Sequence, residues 1–232
     1  MEKKSKKKKL ALFATVAVVT LVLVFVVAGL MRNNNLHQLA LSNMAEARFY
    51  MKQGEAPQVR VQFTSGMREE PYNRDGIAQP NVPFALVYVQ PVGDSLTGYT
   101  ELNGTLRING EDTPVTLTRN EFRLQNFGVD LERLVDRAAE VVFILNLTDT
   151  VLTIPLRDMM PQDAITWERA LEIAVEGLYD EIRALGTFET YVKIISDRTN
   201  TAVFWYIQFL NREAQTVFAV ISPAGELIGS TQ

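Results

Sequence analysis

Hydrophobic residues follow three different patterns along the 232-residue chain, and the first is an unbroken apolar run from Leu10 to Met31. A helix of this length rises about 33 Å, which is enough to cross a hydrocarbon core of about 30 Å. Six lysines precede the run and only Arg32 follows it directly. By the positive-inside rule, this places the N-terminus in the cytoplasm.

We therefore predict a basic cytoplasmic tail over residues 1–9 and a transmembrane signal-anchor helix over residues 10–31. The predicted location is the cell membrane, with a single span and with the later domains extracytoplasmic. A cleaved signal peptide is the alternative, although its apolar core is typically only about 7–15 residues long.

The second pattern runs from Leu36 to Met51, where apolar residues recur at steps of three and four. This spacing indicates a helix, and Gly54 and Pro57 would end it. We predict a juxtamembrane helical stalk over residues 32–57. A dimerising or partner-binding helix is the alternative.

The third pattern begins at residue 58, where short apolar stretches alternate with turn residues. Asn109-Gly110 predicts a two-residue hairpin turn, and Asp130–Ala139 has a helical spacing. A β-sandwich-like domain of immunoglobulin-like type is predicted over residues 58–158. Its predicted strands are Val59–Phe63, Phe84–Pro91, Tyr99–Ile108, Thr113–Leu117, Val141–Leu147 and Val151–Leu156.

Residues 159–232 combine one helical stripe with a strand meander. Thr166 is a predicted N-cap, Gly186 a predicted C-cap, and the apolar stripe comprises Trp167, Leu171, Ala174, Leu178, Ile182 and Leu185. The predicted fold class is thus α+β: a transmembrane helix, a sandwich and then a helix packed on an antiparallel sheet. The predicted strands of this last sheet are Phe188–Ser196, Ala202–Leu210, Thr216–Ser222 and Leu227–Ile228.

The segment over residues 163–230 resembles the PepSY family of small extracytoplasmic domains. Its matching motifs are the helix start Thr166–Ala174, the strand Trp205–Phe209, and the ending from Val217 through Pro223–Leu227. Ser222 stands where the family more often has aspartate. The resemblance implies a membrane-anchored regulator or inhibitor of peptidases or cell-envelope enzymes, and it supplies no catalytic residue.

Composition narrows the possible chemistry. The chain has no cysteine and one histidine, His37, so neither a disulfide nor a transition-metal site is expected. Seven of 23 basic and one of 27 acidic residues lie at or before Arg32, which leaves a charge of about −10 on the rest. Nucleic-acid binding is therefore not expected. Beyond the tail the only lysines are Lys52 and Lys193.

Two short motifs suggest chemistry but have simpler explanations. Gly93-Asp94-Ser95-Leu96 matches the nucleophile motif of GDSL hydrolases, but a serine nucleophile needs a base, and His37 lies far upstream. Glu69, Glu70 and Asp75 lie in a predicted loop over residues 64–83 without the spacing of a calcium loop. We expect turn and solvated-loop residues, and neither a cofactor nor a small-molecule substrate.

The strand Ala202–Leu210 is apolar on both faces, whereas a single helix can cover only one. The second face, with Phe204, Tyr206 and Leu210, must contact the β-domain, a partner protein or a second copy. We predict a non-catalytic, membrane-anchored accessory or regulatory subunit of a membrane or cell-envelope complex, with a bacterial cell surface as its setting. The alternatives are an envelope peptide- or polysaccharide-binding module using the 64–83 loop and a serine hydrolase using Ser95.

Overall fold

Twelve strands dominate the described part of the chain, which comprises residues 20, 34–119, 126–197 and 202–231 of a computed structural model. A first helix, α1, spans residues 34–42. The later helices are α2 (Trp167–Gly177) and α3 (Tyr179–Ala184). The strands are β1 (Met44–Ala56), β2 (Val59–Glu69), β3 (Asn81–Pro91), β4 (Glu101–Ile108), β5 (Glu111–Arg119), β6 (Phe127–Leu131), β7 (Val141–Asn146), β8 (Val151–Asp158), β9 (Phe188–Ser196), β10 (Val203–Asn211), β11 (Thr216–Ile221) and β12 (Leu227–Ser230).

All twelve strands belong to one hydrogen-bonded sheet. Their order is β12-β11-β10-β9-β1-β2-β3-β6-β5-β4-β7-β8, and β8 pairs again with β1. Eight strands, β1 to β8, therefore close into a barrel. The other four, β9 to β12, form an antiparallel extension, which we call the C-terminal sheet. It joins the barrel where β9 pairs in parallel with the start of β1.

Alternating side chains from the eight strands fill the barrel. Phe63, Phe127 and Phe143 are fully buried there, and burying a side chain of this size contributes about 1.5–3 kcal/mol. Leu96 enters the core from the connection after β3, and Val135 enters from the connection after β6. The barrel interior is thus packed with side chains from both its wall and its connections.

Two seams in the barrel wall are short. At one, β8 meets β1 through only two residue pairs, Lys52 with Asp158 and Gln53 with Arg157. At the other, the pairs of β5 with β6 among the described residues are Thr118 with Gly128 and Arg119 with Phe127. Other strand pairs are longer, with 11 residue pairs between β2 and β3. In the part of the chain that the structure describes, the barrel thus consists of two four-stranded halves joined by two residue pairs at each seam.

The C-terminal sheet has two differently covered faces. Its helix face, with Trp205 and Phe209, packs against α1 and α2 through residues such as Leu36 and Leu171. Thr166 caps the start of α2, and its side chain accepts a hydrogen bond from the Arg169 N–H, as predicted for an N-cap. The opposite face, which we call the loop face, carries Tyr191, Lys193, Phe204, Tyr206 and Leu210.

The predicted fold class is wrong. An immunoglobulin-like sandwich has two sheets and a separate α+β domain adds a third, whereas hydrogen bonds connect every described strand here into one sheet and close eight of them. The alternation of apolar and polar residues is the same in a sandwich strand and in a barrel strand. Only the pairing at the two seams distinguishes them, and at the closing β8–β1 seam it links residues far apart in sequence.

The predicted transmembrane helix over Leu10–Met31 lies, except for Thr20, outside the described residues. Within them, no helix is long and apolar enough to cross a membrane. Residues 34–42 of α1 rise only about 13 Å, against a hydrocarbon core of about 30 Å. The predictions of a single-pass anchor, a cytoplasmic N-terminus and an extracytoplasmic location are therefore not supported and are corrected.

The predicted stalk helix is correct only for residues 34–42, since Met44–Ala56 forms β1. Two irregularities interrupt the strand alternation, one between Met44 and Glu46 and one between Arg48 and Tyr50. They bring Met44, Ala47 and Met51 to the same core at steps of three and four, which imitates a helical stripe. The helix does not act as a stalk either, because Leu36 and Ala40 are buried.

The hairpin at Asn109-Gly110 is confirmed, with φ angles of 49° and 84° that match the turn's demand for positive values. The helix predicted over Asp130–Ala139 is wrong. Its first residues belong to β6, and the rest forms an irregular connection that delivers Val135 and Ala139 to the barrel core. Core contacts, rather than a helix, explain the spacing of its apolar residues.

Lys52 supports barrel closure from inside the β8–β1 seam. Its side chain is 5% exposed, and its ammonium donates to the carbonyl oxygens of Arg137 at 2.8 Å and Ala139 at 2.7 Å. We expect Lys52→Met to lower the free energy of unfolding by about 2 kcal/mol, because hydrogen bonds from a buried charge are lost while the stem is kept. Urea unfolding measures this change.

The matched control is Arg60→Met, which removes an exposed cation on the neighbouring strand β2. We expect it to change the free energy of unfolding by less than about 0.5 kcal/mol. Equal effects of the two substitutions would show that Lys52 does not support the seam.

Candidate protein-binding surfaces

A buried charge cluster lies where β1 leaves the barrel and joins the C-terminal sheet. Its centre is Glu46, which is 2% exposed. The Lys193 ammonium lies 2.8 Å from one Glu46 carboxylate oxygen, and Arg48 pairs with the other. The Tyr72 hydroxyl donates to Glu46 at 2.8 Å. The cluster therefore connects three elements: β1, β9 and the connection between β2 and β3.

The protonation of Glu46 follows from two opposing effects. Burial, the larger single effect, opposes ionisation, but Arg48 and Lys193 together outweigh it and hold the pKa of Glu46 below its ordinary value. Burial lowers the pKa of Lys193, and its attraction to Glu46 opposes that shift. Burial, followed by the charge of Glu46, raises the pKa of Tyr72. Glu46 is thus an anion and Tyr72 a neutral donor.

The connection over residues 70–80 is fixed against the loop face. Glu69, predicted to be solvated, is fully buried at the end of β2 and accepts the N–H groups of Asn73 at 3.2 Å and Gln79 at 2.9 Å. Arg74 donates to the Gln208 side chain at 3.0 Å. A Cβ on Gly76 would lie 2.4 Å from the Arg212 nitrogen, so this backbone packs directly against the end of β10.

The predicted 64–83 loop is therefore shorter than expected and anchored at several points. Burial and the nearby charge of Glu189 raise the pKa of Glu69. Among the described residues, no three His, Cys, Asp or Glu side chains are placed to hold a metal ion. The loop connects the barrel to the C-terminal sheet. Contact of this sheet face with the β-domain is one of the three alternatives stated from the sequence, but the sequence did not assign the contact to this loop.

Ser95 lies in the turn between β3 and β4, where its hydroxyl donates to the backbone oxygen of Gln58. His37, the histidine considered as a base, lies on α1, which packs against the helix face of the C-terminal sheet. The hydroxyl proton of Ser95 is thus engaged by a main-chain acceptor. This contact joins the turn to the hairpin between β1 and β2.

The loop face is only half covered. Leu210, one of the three predicted interface residues, is 6% exposed and packs with Ala45 and Tyr191. Phe204 and Tyr206, the other two, stay partly exposed. The Tyr206 ring stacks on Phe218 of β11 with a centroid distance of 5.7 Å. The connection over residues 70–80 therefore covers the Leu210 end and leaves an apolar patch towards β11.

A second candidate surface, missed by the sequence analysis, lies on the outside of the barrel. It is a cavity of about 370 Å³ where β5 and β6 separate. Its walls belong to β3, β5 and β6, so residues distant in sequence form it. Its lining residues are Leu86, Tyr88, Thr116, Thr118, Arg119, Gly128, Val129 and Asp130.

No protein-family model matches the chain, and no curated protein and no solved structure is significantly similar to it. The resemblance of the last segment to PepSY domains therefore stays a prediction from short motifs.

The ionised form of Glu46 is expected to stabilise the junction. We expect Glu46→Gln to lower the free energy of unfolding at pH 7 by about 2–3 kcal/mol, since it leaves two partly buried cations without their anion. Because the folded pKa of Glu46 is depressed, its contribution is present above the ordinary carboxyl pKa and is lost as pH falls through the folded value. The difference between the two proteins should therefore shrink below about pH 4.

Urea unfolding at several pH values measures this difference. The control is Glu55→Gln, which removes an exposed partner of Arg60 and should change the free energy of unfolding by less than about 1 kcal/mol. A Glu46→Gln effect that is independent of pH would contradict the assignment of Glu46 as the cluster's anion.

Proposed function

We propose that this protein is a non-catalytic accessory subunit that binds a partner protein through the uncovered part of the loop face. The observation that carries the proposal is the partly exposed group of Phe204, Tyr206, Phe218 and Val220 on β10 and β11. These side chains are adjacent on one sheet face, in the register that places Tyr206 opposite Val220 and Gln208 opposite Phe218. Contiguous exposed apolar groups of this kind mark interaction sites.

The chemistry of the patch defines the partner. Aromatic residues and arginine are enriched at the centres of protein interfaces, and here Arg74 lies beside Gln208 and the Tyr191 ring. The cations at the rim, Lys193 and Arg48, keep 19% and 32% of their side chains exposed, whereas their anion Glu46 is 2% exposed. We infer that the partner offers an apolar surface with carboxylates at its rim.

The resemblance to PepSY domains, which implies a regulatory and non-catalytic protein, supports the same conclusion. It concerns α2 and the C-terminal sheet, and two strands of that sheet, β10 and β11, carry the patch. A binding module that uses the 64–83 loop is less favoured, because Glu69, Tyr72, Arg74 and Gly76 already bind that connection to its own chain.

A photo-crosslinking amino acid placed at Phe204 tests this proposal. We expect p-benzoylphenylalanine there, in the full-length chain, to crosslink one partner in cells of the native source. The same group at Val151, which is 61% exposed on the barrel, should not crosslink that partner. Tyr206→Ser should reduce the yield from the position of Phe204 at least about tenfold, because it removes the central aromatic contact.

Circular dichroism and unfolding of the Tyr206→Ser variant establish that it is folded. Crosslinking of Phe204 only to a second copy of the same chain would replace the accessory-subunit proposal with self-association. Equal crosslinking from Phe204 and Val151 would reject the patch as a specific surface.

The alternative of a serine hydrolase has a separate test. Under the proposed function, Ser95→Ala leaves hydrolysis of a generic p-nitrophenyl ester unchanged at its background rate. It should lower the free energy of unfolding by only about 1 kcal/mol, since one hydrogen bond to the Gln58 backbone is lost. Loss of a measurable esterase activity in the folded variant would favour the hydrolase.

A further inference from the structure

The strands β5 and β6 are paired at one end and separate at the other. Outside the undescribed residues 120–125, their residue pairs are Thr118 with Gly128 and Arg119 with Phe127. Beyond Gly128, β6 continues to Leu131, and before Thr118, β5 extends back to Glu111. In the described part of the chain, no strand pair fills the V-shaped cleft between these arms. Outside the barrel, the cleft coincides with the cavity of about 370 Å³.

The hydrogen-bond alternation shows which backbone groups face the cleft. Because Asn109-Gly110 is a two-residue turn, Ile108 and Glu111 form a hydrogen-bonded pair, and residues of β5 alternate from there. Thr116, like Thr118, therefore directs its N–H and C=O away from β4. Thr118 uses these groups with Gly128, while Thr116 lies before the paired end.

The same alternation on β6 directs the N–H and C=O of Asp130 into the cleft, two residues beyond Gly128. Pro114 occupies the next cleft-facing position of β5, where a missing N–H disrupts no strand pair. The two arms thus offer donors and acceptors at the spacing of a β-ladder, from Thr116 on one side and Asp130 on the other.

The outer side of the cleft has an apolar wall. A Cβ on Gly128 would lie 3.0 Å from the Tyr88 ring, so the absence of a side chain lets this ring lie across β6. Leu86, two residues before Tyr88 on β3, completes the wall. Thr116 and Thr118 form the opposite side, and both are exposed.

We propose that this cleft binds an extended peptide segment of another protein, which adds a short strand beside Thr116 or Asp130 and places an apolar side chain against Tyr88. An extended polypeptide is the ligand whose own alternating N–H and C=O groups complement a strand edge. The cavity volume is within the range of about 300–1,000 Å³ that is typical of ligand sites. Recognition is through the backbone, so it tolerates different peptide sequences that can form a strand.

This site is separate from the loop-face patch and does not depend on it. The patch lies on β10 and β11 of the C-terminal sheet, whereas the cleft lies between barrel strands. A partner could therefore use both surfaces, or two different partners could bind.

The first test uses an acetylated and amidated seven-residue peptide of alternating valine and threonine with a lysine at each end. Full-length protein is titrated with it, and backbone amide signals are followed by NMR. We expect the Thr116 and Asp130 amides to shift and to gain protection from hydrogen exchange. The same peptide with alternate backbone nitrogens methylated should bind at least about tenfold more weakly, because it has lost its donors on one edge.

A matched pair of variants tests the protein side. Thr116→Pro removes the N–H that faces the cleft, while Thr116→Val removes the same hydroxyl but keeps that N–H. We expect Thr116→Pro to weaken peptide binding about tenfold and Thr116→Val to change it less than about twofold. Tyr88→Ala removes the apolar wall without changing the backbone, and we expect it to weaken peptide binding as well. It tests the site even if Thr116→Pro does not fold.

Three results would overturn the proposal. One is no change at the Thr116 and Asp130 amides with millimolar peptide. Another is equal affinity for the methylated and unmethylated peptides, which would indicate that the cleft binds apolar side chains and does not bind the peptide backbone. The third is undiminished binding to both folded Thr116→Pro and Tyr88→Ala variants.

Discussion

The hydrogen-bonded edges of β1 hold the two parts of this structure together. One edge pairs with β2 from Glu46 to Ala56. The other edge divides: Met44 to Ala47 pairs in parallel with β9, and Lys52 and Gln53 pair with β8. A strand has only two edges, so this division requires β9 and β8 to diverge around the irregularity between Arg48 and Tyr50. The barrel and the C-terminal sheet therefore share β1, and neither is complete without it.

The only two lysines beyond the N-terminal tail lie beside these two pairings: Lys193 is on β9, and Lys52 is on β1 next to β8. Lys193 pairs with Glu46 beside β9, and Lys52 donates to two backbone carbonyls beside β8. Removing charges from water is costly, and a buried ion pair adds less net stability than its short distance suggests. We infer that its stronger effect is on the register of β1, because a shifted register would leave the buried charge of Glu46 without its partners. The cluster thus favours the register that both sheets require.

Local signals in the sequence predict local structure well. Asn109-Gly110 and Thr166 determine a turn and a helix start through their own backbone and capping chemistry, and both predictions are confirmed. The errors concern residues whose conformation is set by distant contacts. The helical spacing of Met44, Ala47 and Met51 results from bulges that only pairing with β2 and β9 explains. The cleft at Thr116 depends on where the pairing of β5 with β6 stops, which no neighbouring residue reveals. The sequence contains one signal for the junction between the barrel and the C-terminal sheet. Lysine is rare beyond the N-terminal tail, and the two that occur, Lys52 and Lys193, lie where β1 pairs with β8 and with β9.

The two seams of the barrel differ in the contacts that hold them, and this difference accounts for the cleft at the β5–β6 seam. At the β8–β1 seam, a Cβ on Gly54 would lie 2.6 Å from the Pro155 oxygen, so the two backbones are in direct contact. Lys52 and the ion pair of Arg137 with Asp158 at 2.8 Å also bind the connection after β6 to that corner. At the β5–β6 seam, the glycine faces the Tyr88 ring instead of the opposite strand, and proline interrupts the donors of β5. Strand edges normally carry features that prevent pairing with other chains. Here Pro114 has no backbone N–H and so prevents pairing at one end of the edge, while Thr116 keeps its backbone N–H beside an apolar wall. This combination is expected of an edge that accepts one short strand and resists unlimited pairing.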